Sequence, residues 1–328
     1  MPGQITHYLC AVSVLSKLSP ELQSRIKSGR GLYNTGAQGP DIFFYYLPGF
    51  LNPKIRGIAH KMHKTAVGDY LKECAVGIKY AKASIKADAF AYLAGYITHY
   101  CLDCATHPYV YYKTGFRQSG EKFRKRLKYS SYHVRFESAI DTLMLKRVAG
   151  KAPKDCKIHR FSGAKQKDAE RVADFIGGCI SRAYRIDCRG KDVLAAQNYM
   201  QFFTKLFQAT NGRYRKVLAI AEGLVLGENI AAALIHPQRV GGKRDYLNEK
   251  KADWSAPWDK SLVENTDFCQ MFSAAAEEAA ELIYTLDAYL KDEVSLDYFL
   301  EKAGNRSLNS GRPIEEGVEF KFHDIIFN

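Results

Sequence analysis

Apolar residues recur at three- and four-residue steps along most of the 328-residue chain, while period-2 runs of Val, Ile and Thr are scarce. The spacing predicts helices over residues 5–16 and 20–27, one or two across 58–83, and a long one from 87 to about 106. Further helical patterns cover 130–148, 168–185, 191–226 and 265–290. Between them, 29–40 reads as a Gly-rich loop leading into 41–47, and 48–53 as a Pro-bounded break. His107-Pro108 reads as the stop of the long helix, and 113–129 as a basic loop. Residues 149–167 carry the weakest pattern, 237–260 form a long polar connection with Trp254 and Trp258, and the tail 311–328 looks irregular. No internal repeat is visible. The expected architecture is all-α, a multi-helix bundle forming a single domain over 1–328.

One helix departs from the usual colouring. Residues 87–112 contain no Lys, Arg or Glu. Phe90, Leu93, Ile97, Cys101 and Cys104 make one apolar stripe. A solvated helix would fill its other face with Lys and Glu. Here His99, Asp103 and His107 follow one another at four-residue steps and share a side, because positions four apart differ by only about 40° around a helix. A carboxylate buried between two imidazoles needs a compensating charge, and a divalent metal supplies one.

Composition changes this picture little. The chain is 46% hydrophobic and 25% charged, as a globular protein is. Its net charge of +13 fits an anionic partner such as acidic phospholipid, a phosphate ester or nucleic acid, and equally a protein that simply happens to be basic. The eight cysteines are scattered through apolar patterns, and Cys101-x2-Cys104 has no second pair to complete a zinc ribbon, so it reads as core. Free buried thiols fit a reducing compartment. The first residues lack the basic segment of a signal peptide, and the most apolar long stretch, 217–235, is interrupted by Glu222 and Glu228. A cytoplasmic chain without a membrane span is the expectation.

Further donors cluster in the first half. His133 and Glu137 are four apart on one helix face, a spacing that zinc half-sites use but that taken alone reads more simply as a surface pair. Asp41 follows a Gly/Pro turn, where taken alone it reads as a helix cap. His60 and His63 lie three apart, and His7 falls in the first helix. Six of the nine histidines precede residue 134; His159, His236 and His323 have no comparable company in the sequence. Imidazole plus carboxylate without thiolate favours zinc, iron or manganese over a structural Cys site, and seven or eight donors exceed what one tetrahedral ion uses. A multinuclear site follows.

The ordered series His7, Gly-Pro-Asp41, Met-His63, His99-x3-Asp103, His107 and His133-x3-Glu137 resembles the bacterial zinc-dependent phospholipase C family, whose all-α fold is shared with the S1/P1 nucleases. Asp245-Tyr-Leu-Asn248, Trp254 and Pro257-Trp258 extend the likeness. The resemblance implies a ligand-bearing core over about 1–150, covered by additional C-terminal helices over 165–310. It also implies two or three Zn2+ ions: one on Asp41, His63, His99 and Asp103, one on His107, His133 and Glu137, and a third on His7 with Asp103 as a bridge. Of the pair 60 and 63, His63 is the closer match. Secreted relatives complete the third position with the amine and carbonyl of an N-terminal Trp; this chain begins Met-Pro, where Pro2 is the corresponding candidate. A two-zinc enzyme is coherent without it.

The activity so implied is phosphodiester hydrolysis, most of all of phospholipids, with Asp41 as general base or water-orienting group. Tyr45, Tyr46, Tyr96 and Tyr109 are candidates to border the pocket, although core packing is the simpler reading of each. Residues 122–128 carry a basic run that either rims the site against an anionic membrane surface or is a solvated loop. The rival functions are a nuclease on the same scaffold and a non-catalytic metal- or lipid-binding helical protein.

Overall fold

The computed structural model describes residues 3–46, 53–118, 120–161, 163–209 and 213–327. Among them are thirteen α-helices and one two-stranded antiparallel sheet, β1 (Trp254–Ala256) with β2 (Asp259–Glu264). The fold is all-α, as the spacing predicts. The strand pair was not foreseen; it begins inside the expected polar connection 237–260 and runs four residues past it, and Trp254 packs its ring edge-on against Tyr109. The break expected at 48–53 lies almost wholly outside the described residues, as do Met1 and Pro2.

Helix α6 (Ala83–Thr114) is the axis of the molecule. It runs eight residues beyond the stop expected near 106, with Pro108 inside it. Proline removes one backbone donor, which leaves the Cys104 carbonyl without its helical partner, and the backbone of Gly311 closes over that carbonyl. The apolar stripe of α6 is fully inside: Phe90, Leu93 and Cys101 have no exposed surface and Ile97 has 1%.

Residues 29–40 correct the second expectation. They are mostly helical, as α3 (Arg30–Ala37), followed by a 3-10 turn over Gly39–Tyr45. The glycines there serve contact rather than a loop. A Cβ on Gly36 would run into the Tyr92 carbonyl, and one on Gly95 into the Tyr33 carbonyl, so the two backbones of α3 and α6 touch where neither helix has a side chain. This brings the turn that bears Asp41 against the His99 level of α6.

Around this pair stand α1 (Gln4–Lys17), α2 (Pro20–Ser28), α4 (Pro53–Met62), α5 (Val67–Lys79) and α7 (Phe123–Ala149). The basic run 122–128 is therefore the opening of a helix, not a loop. An outer layer follows: α8 (Gln166–Tyr184), α9 (Gly190–Ala209), α10 (Arg213–Leu226), α11 (Ala231–Leu234), α12 (Phe268–Leu290) and α13 (Leu296–Ala303). Of the single pattern expected over 191–226, the described residues are helical on both sides, as α9 and α10, and residues 210–212 lie outside the described residues. Long α12 lies along α6 and starts from a capping box, Asp267 with Gln270. The tail is irregular but held: the amides of Asp324 and Ile326 donate to the carbonyls of Tyr112 and Lys113.

Candidate metal centre

The helices carry all eight candidate ligands to one place. His7 comes from α1, Asp41 from the 3-10 turn, His63 from just past α4, His99, Asp103 and His107 from α6, and His133 and Glu137 from α7. Asp103 is the hub. Its carboxylate, with no exposed surface, has His7 Nε2 at 3.3 Å, His63 Nε2 at 3.5 Å, His99 Nε2 at 3.0 Å and His107 Nδ1 at 3.7 Å. Asp41 Oδ1 stands 3.3 Å from His63 Nε2 and 4.0 Å from His99 Nε2. Donor separations of 3.0–4.0 Å are what metal–ligand bonds of about 2 Å around a common ion allow. His107, His133 and Glu137 form a separate group with donor atoms within 4.8 Å of one another, and His133 Nε2 lies 2.8 Å from Glu137 Oε1.

The imidazoles are oriented from behind. The Nδ1–H of His63 donates to the Ala59 carbonyl at 2.6 Å, that of His99 to Ala37 at 3.2 Å and that of His107 to Leu308 at 2.6 Å. Each ring thereby spends its proton on the backbone and turns Nε2 inward, the tautomer that a metal-binding histidine needs. Gly39, at φ +53°, lies so close to the His99 ring that any Cβ would strike it. His7 stacks on His99 with centroids 4.1 Å apart.

The inward atoms find no hydrogen bond within the protein. His7 Nε2, His63 Nε2, His99 Nε2, His107 Nε2, Asp41 Oδ1 and both oxygens of Asp103 are buried without one. Groups that burial leaves in this state are destabilising unless a cation meets them. Electrostatics says the same. Burial would raise the Asp103 carboxyl, but the imidazoles around it, His107 and His99 foremost, hold it well below the usual carboxylate range. Burial, aided by His99, pushes His7 down, and burial pushes His107 well down, so both rings keep their lone pairs. Burial opposes charge on His63 too, yet the nearby carboxylates of Asp103 and Asp41 lift it to about 9. A proton there does part of what a divalent cation would do. The residues therefore fit zinc.

Residues 6–187, more than half the chain, match the family model described as zinc-dependent phospholipase C. The chain belongs to that family. Searches of the curated proteins and of the solved structures returned no match. Membership in a zinc-dependent phospholipase C family and the clustered His and Asp side chains together identify a metal-dependent hydrolase type, with zinc as the metal they support.

Other expectations sort themselves against this family site. His60 lies outside every group: its ring is edge-on to Phe44, and burial pushes it down to about 4. Asp41 does not cap a helix; its carboxylate points into the cluster. Of the four tyrosines, Tyr45 lines the cavity beside the centre, whereas Tyr46 donates to Asp192, Tyr109 donates to the carbonyls of Tyr246 and Asp245, and Tyr96 is buried between Tyr70 and His99. For those three the core reading holds. No helix among the described residues is long and apolar enough to cross a membrane.

Two functional residues escaped the sequence reading. Asp141, fully buried one turn beyond Glu137, accepts from the amides of Ile5 and Thr6 at 3.1 and 2.8 Å and from the Thr6 hydroxyl at 2.6 Å. It thus caps α1 from another helix and fixes His7. Its second partner is His236, whose Nε2 lies 2.8 Å from Oδ2. His236 does have acidic company, supplied by a residue 95 positions earlier. The C-terminal segment contributes as well: the Leu308 carbonyl anchors His107, and the Ser307 hydroxyl donates to the His63 carbonyl at 3.0 Å.

Proposed function

We propose that this protein is a zinc-dependent hydrolase of phosphodiesters of the phospholipase C type, with phospholipids as substrates. The observation that carries the reading is a fully buried carboxylate whose ion-pair partners among the described residues are all histidines, next to a cavity that two ligand-group carboxylates also line. Asp41, His63, His99 and Asp103 would hold one zinc, and His107, His133 and Glu137 a second; His7 and Asp103 are the protein donors for a third. Bound zinc supplies Lewis acidity: it neutralises phosphate charge and makes a water more acidic.

The chain's own residues do the rest. Asp41 belongs both to the cluster and to the cavity wall, so its carboxylate is set to orient the attacking water and accept its proton. Tyr45, Val134, Met200, Phe207, Leu234 and Ile235 give the cavity apolar walls suited to the glycerol and acyl part of a lipid. Water then adds to phosphorus, the bond to the glycerol oxygen breaks, and diacylglycerol leaves with that oxygen protonated. The helices over 165–310 act with the ligand-bearing core as one domain, a reading supported by α12 along α6 and by Leu308 behind His107.

The test is incubation of the zinc-loaded protein with a short-chain phosphatidylcholine or with single-stranded DNA. Release of a phosphorylated head group is expected. Cleavage of DNA alone would overturn the lipid reading.

A further inference from the structure

Helix α10 is turned inside out. At 100° per residue, Tyr214, Val217, Ala221, Leu224 and Val225 share an arc of about 100°, with Ile220 at its margin. This stripe faces outward: Tyr214 and Val217 are 65% and 64% exposed, Leu224 and Val225 83% and 79%. The half-buried side, Arg215, Leu218, Ala219 and Glu222, is held to the protein through its two charged residues. The Glu222 carboxylate accepts from the amides of Ala231 and Ala232 at 2.8 and 2.9 Å, and Arg215 Nε donates to the Ala232 carbonyl at 3.3 Å. A helix held by its charged residues while its apolar face meets solvent reverses the usual arrangement, and such a patch marks an interaction surface.

The surroundings specify the partner. Segment 229–237 runs along α7 in step: Ser131 donates to the Asn229 carbonyl, Ser138 to Ala233 and Thr142 to Pro237. Beyond the first of these contacts, where α10 hands over to residue 229, α7 opens with exposed Lys122, Arg124, Lys125 and Arg126 around an exposed Phe123. Arg135 adds its charge close to Arg215. The helix also joins the two segments that wall the cavity, since Thr204 and Phe207 precede it and Leu234 and His236 follow it.

We propose that α10 docks the enzyme on a phospholipid bilayer, its apolar stripe lying in the interfacial region and the basic opening of α7 meeting anionic head groups. The inference rests on the phospholipase reading above. The basic border selects an anionic lipid surface over a second copy, which would bring like charges together, and the chain continuity of α10 with cavity-lining residues on either side fits a lipid partner. The helix lies on the bilayer and does not span it.

Flotation of the zinc-loaded protein with vesicles of phosphatidylcholine and phosphatidylserine tests this, comparing wild type with Val217→Glu/Leu224→Glu. Both side chains are exposed, so the variant should keep its circular dichroism and its turnover of monomeric short-chain phosphatidylcholine. Vesicle binding is expected to weaken at least about tenfold, the factor that burying one Val or Leu side chain contributes. Equal flotation of both proteins overturns the proposal, as does wild-type protein that hydrolyses the monomeric substrate yet never floats. Light scattering that finds a wild-type dimer and a monomeric variant, with no difference in flotation, assigns the stripe to a second copy and also overturns it. Charge-dependent flotation lost in the variant, in a protein that hydrolyses no phosphodiester, supports docking while sinking the phospholipase reading.

Discussion

Helices α6 and α10 break the amphipathic rule in opposite directions. In α6 the face that ought to be solvated carries His99, Asp103 and His107 with no exposed surface. In α10 the face that ought to be buried carries Val217 and Leu224 at 64% and 83% exposure. The difference lies in what satisfies each anomaly. The polar face of α6 is tied from behind by the carbonyls of Ala37 and Leu308 and converges on a point, as donors around a cation do. The apolar face of α10 converges on nothing and is bordered by cations, as a membrane-seeking face is. A helix that violates its own pattern thus points to the partner that completes it, and the geometry of the violation says what kind of partner that is.

The comparison breaks most visibly at Asp103. Asp103→Asn leaves the shape but removes the hub's negative charge and replaces one carboxylate oxygen with an NH2 donor, touching His7, His63, His99 and His107 at once. Zinc content by mass spectrometry and turnover should both collapse, beyond the roughly 100-fold that marks the upper end for changes behind a ligand. Undiminished zinc in this variant would remove the cation from the account.

A matched pair of truncations sharpens the contrast in stability. Ile97→Ala on the buried side of α6 should cost about 2–5 kcal/mol in urea denaturation. Leu224→Ala on α10 should stay within about 0.5 kcal/mol of wild type. A large loss at Leu224 would mean that the chain itself covers the stripe.

Asp141→Ala should fall next, since it strips acceptors from the amides of Ile5 and Thr6 and from His236. Each buried donor left without a partner costs about 1–3 kcal/mol. Zinc affinity should drop about 10–100-fold because His7 loses its anchor, read by competition with a chelator. Unchanged affinity would confine Asp141 to stability.

The smallest effect is with pH. In chelator-stripped protein, the His63 imidazole is raised from 6.5 to about 9, so its contribution is complete below pH 6.5 and is lost as pH rises through about 9. Thermal stability of the stripped protein should therefore decline across that window. Zinc competes with the same proton, so zinc affinity should climb over the window and level off above it. A stripped protein that gains stability between pH 6.5 and 9 contradicts the pairing of His63 with Asp103 and Asp41.

Much of the centre is legible in the sequence because it is local. His99, Asp103 and His107, and His133 with Glu137, sit four residues apart on single helices, and the missing Lys and Glu of 87–112 expose burial directly. Asp141 was legible in principle, since it continues the four-residue step from Glu137. The rest depends on distant partners. Nothing near His236 announces Asp141, and the Leu308 carbonyl behind His107 carries no side-chain signature at all. Helix α3 was misread because glycine is ambiguous: Gly31 and Gly36 read as loop residues, but their lack of a side chain lets α3 lie against its neighbours, Gly36 directly on α6. Pro108 misled in the same way, as the helix continues where a tertiary contact, Gly311 on the Cys104 carbonyl, covers the gap.

The most direct test of the central claim is anomalous X-ray scattering at the zinc edge from crystals grown with zinc. Peaks are expected within the Asp41, His63, His99 and Asp103 group and within the His107, His133 and Glu137 group. Peaks confined to outlying histidines such as His159 or His323, with none beside Asp103, would contradict it.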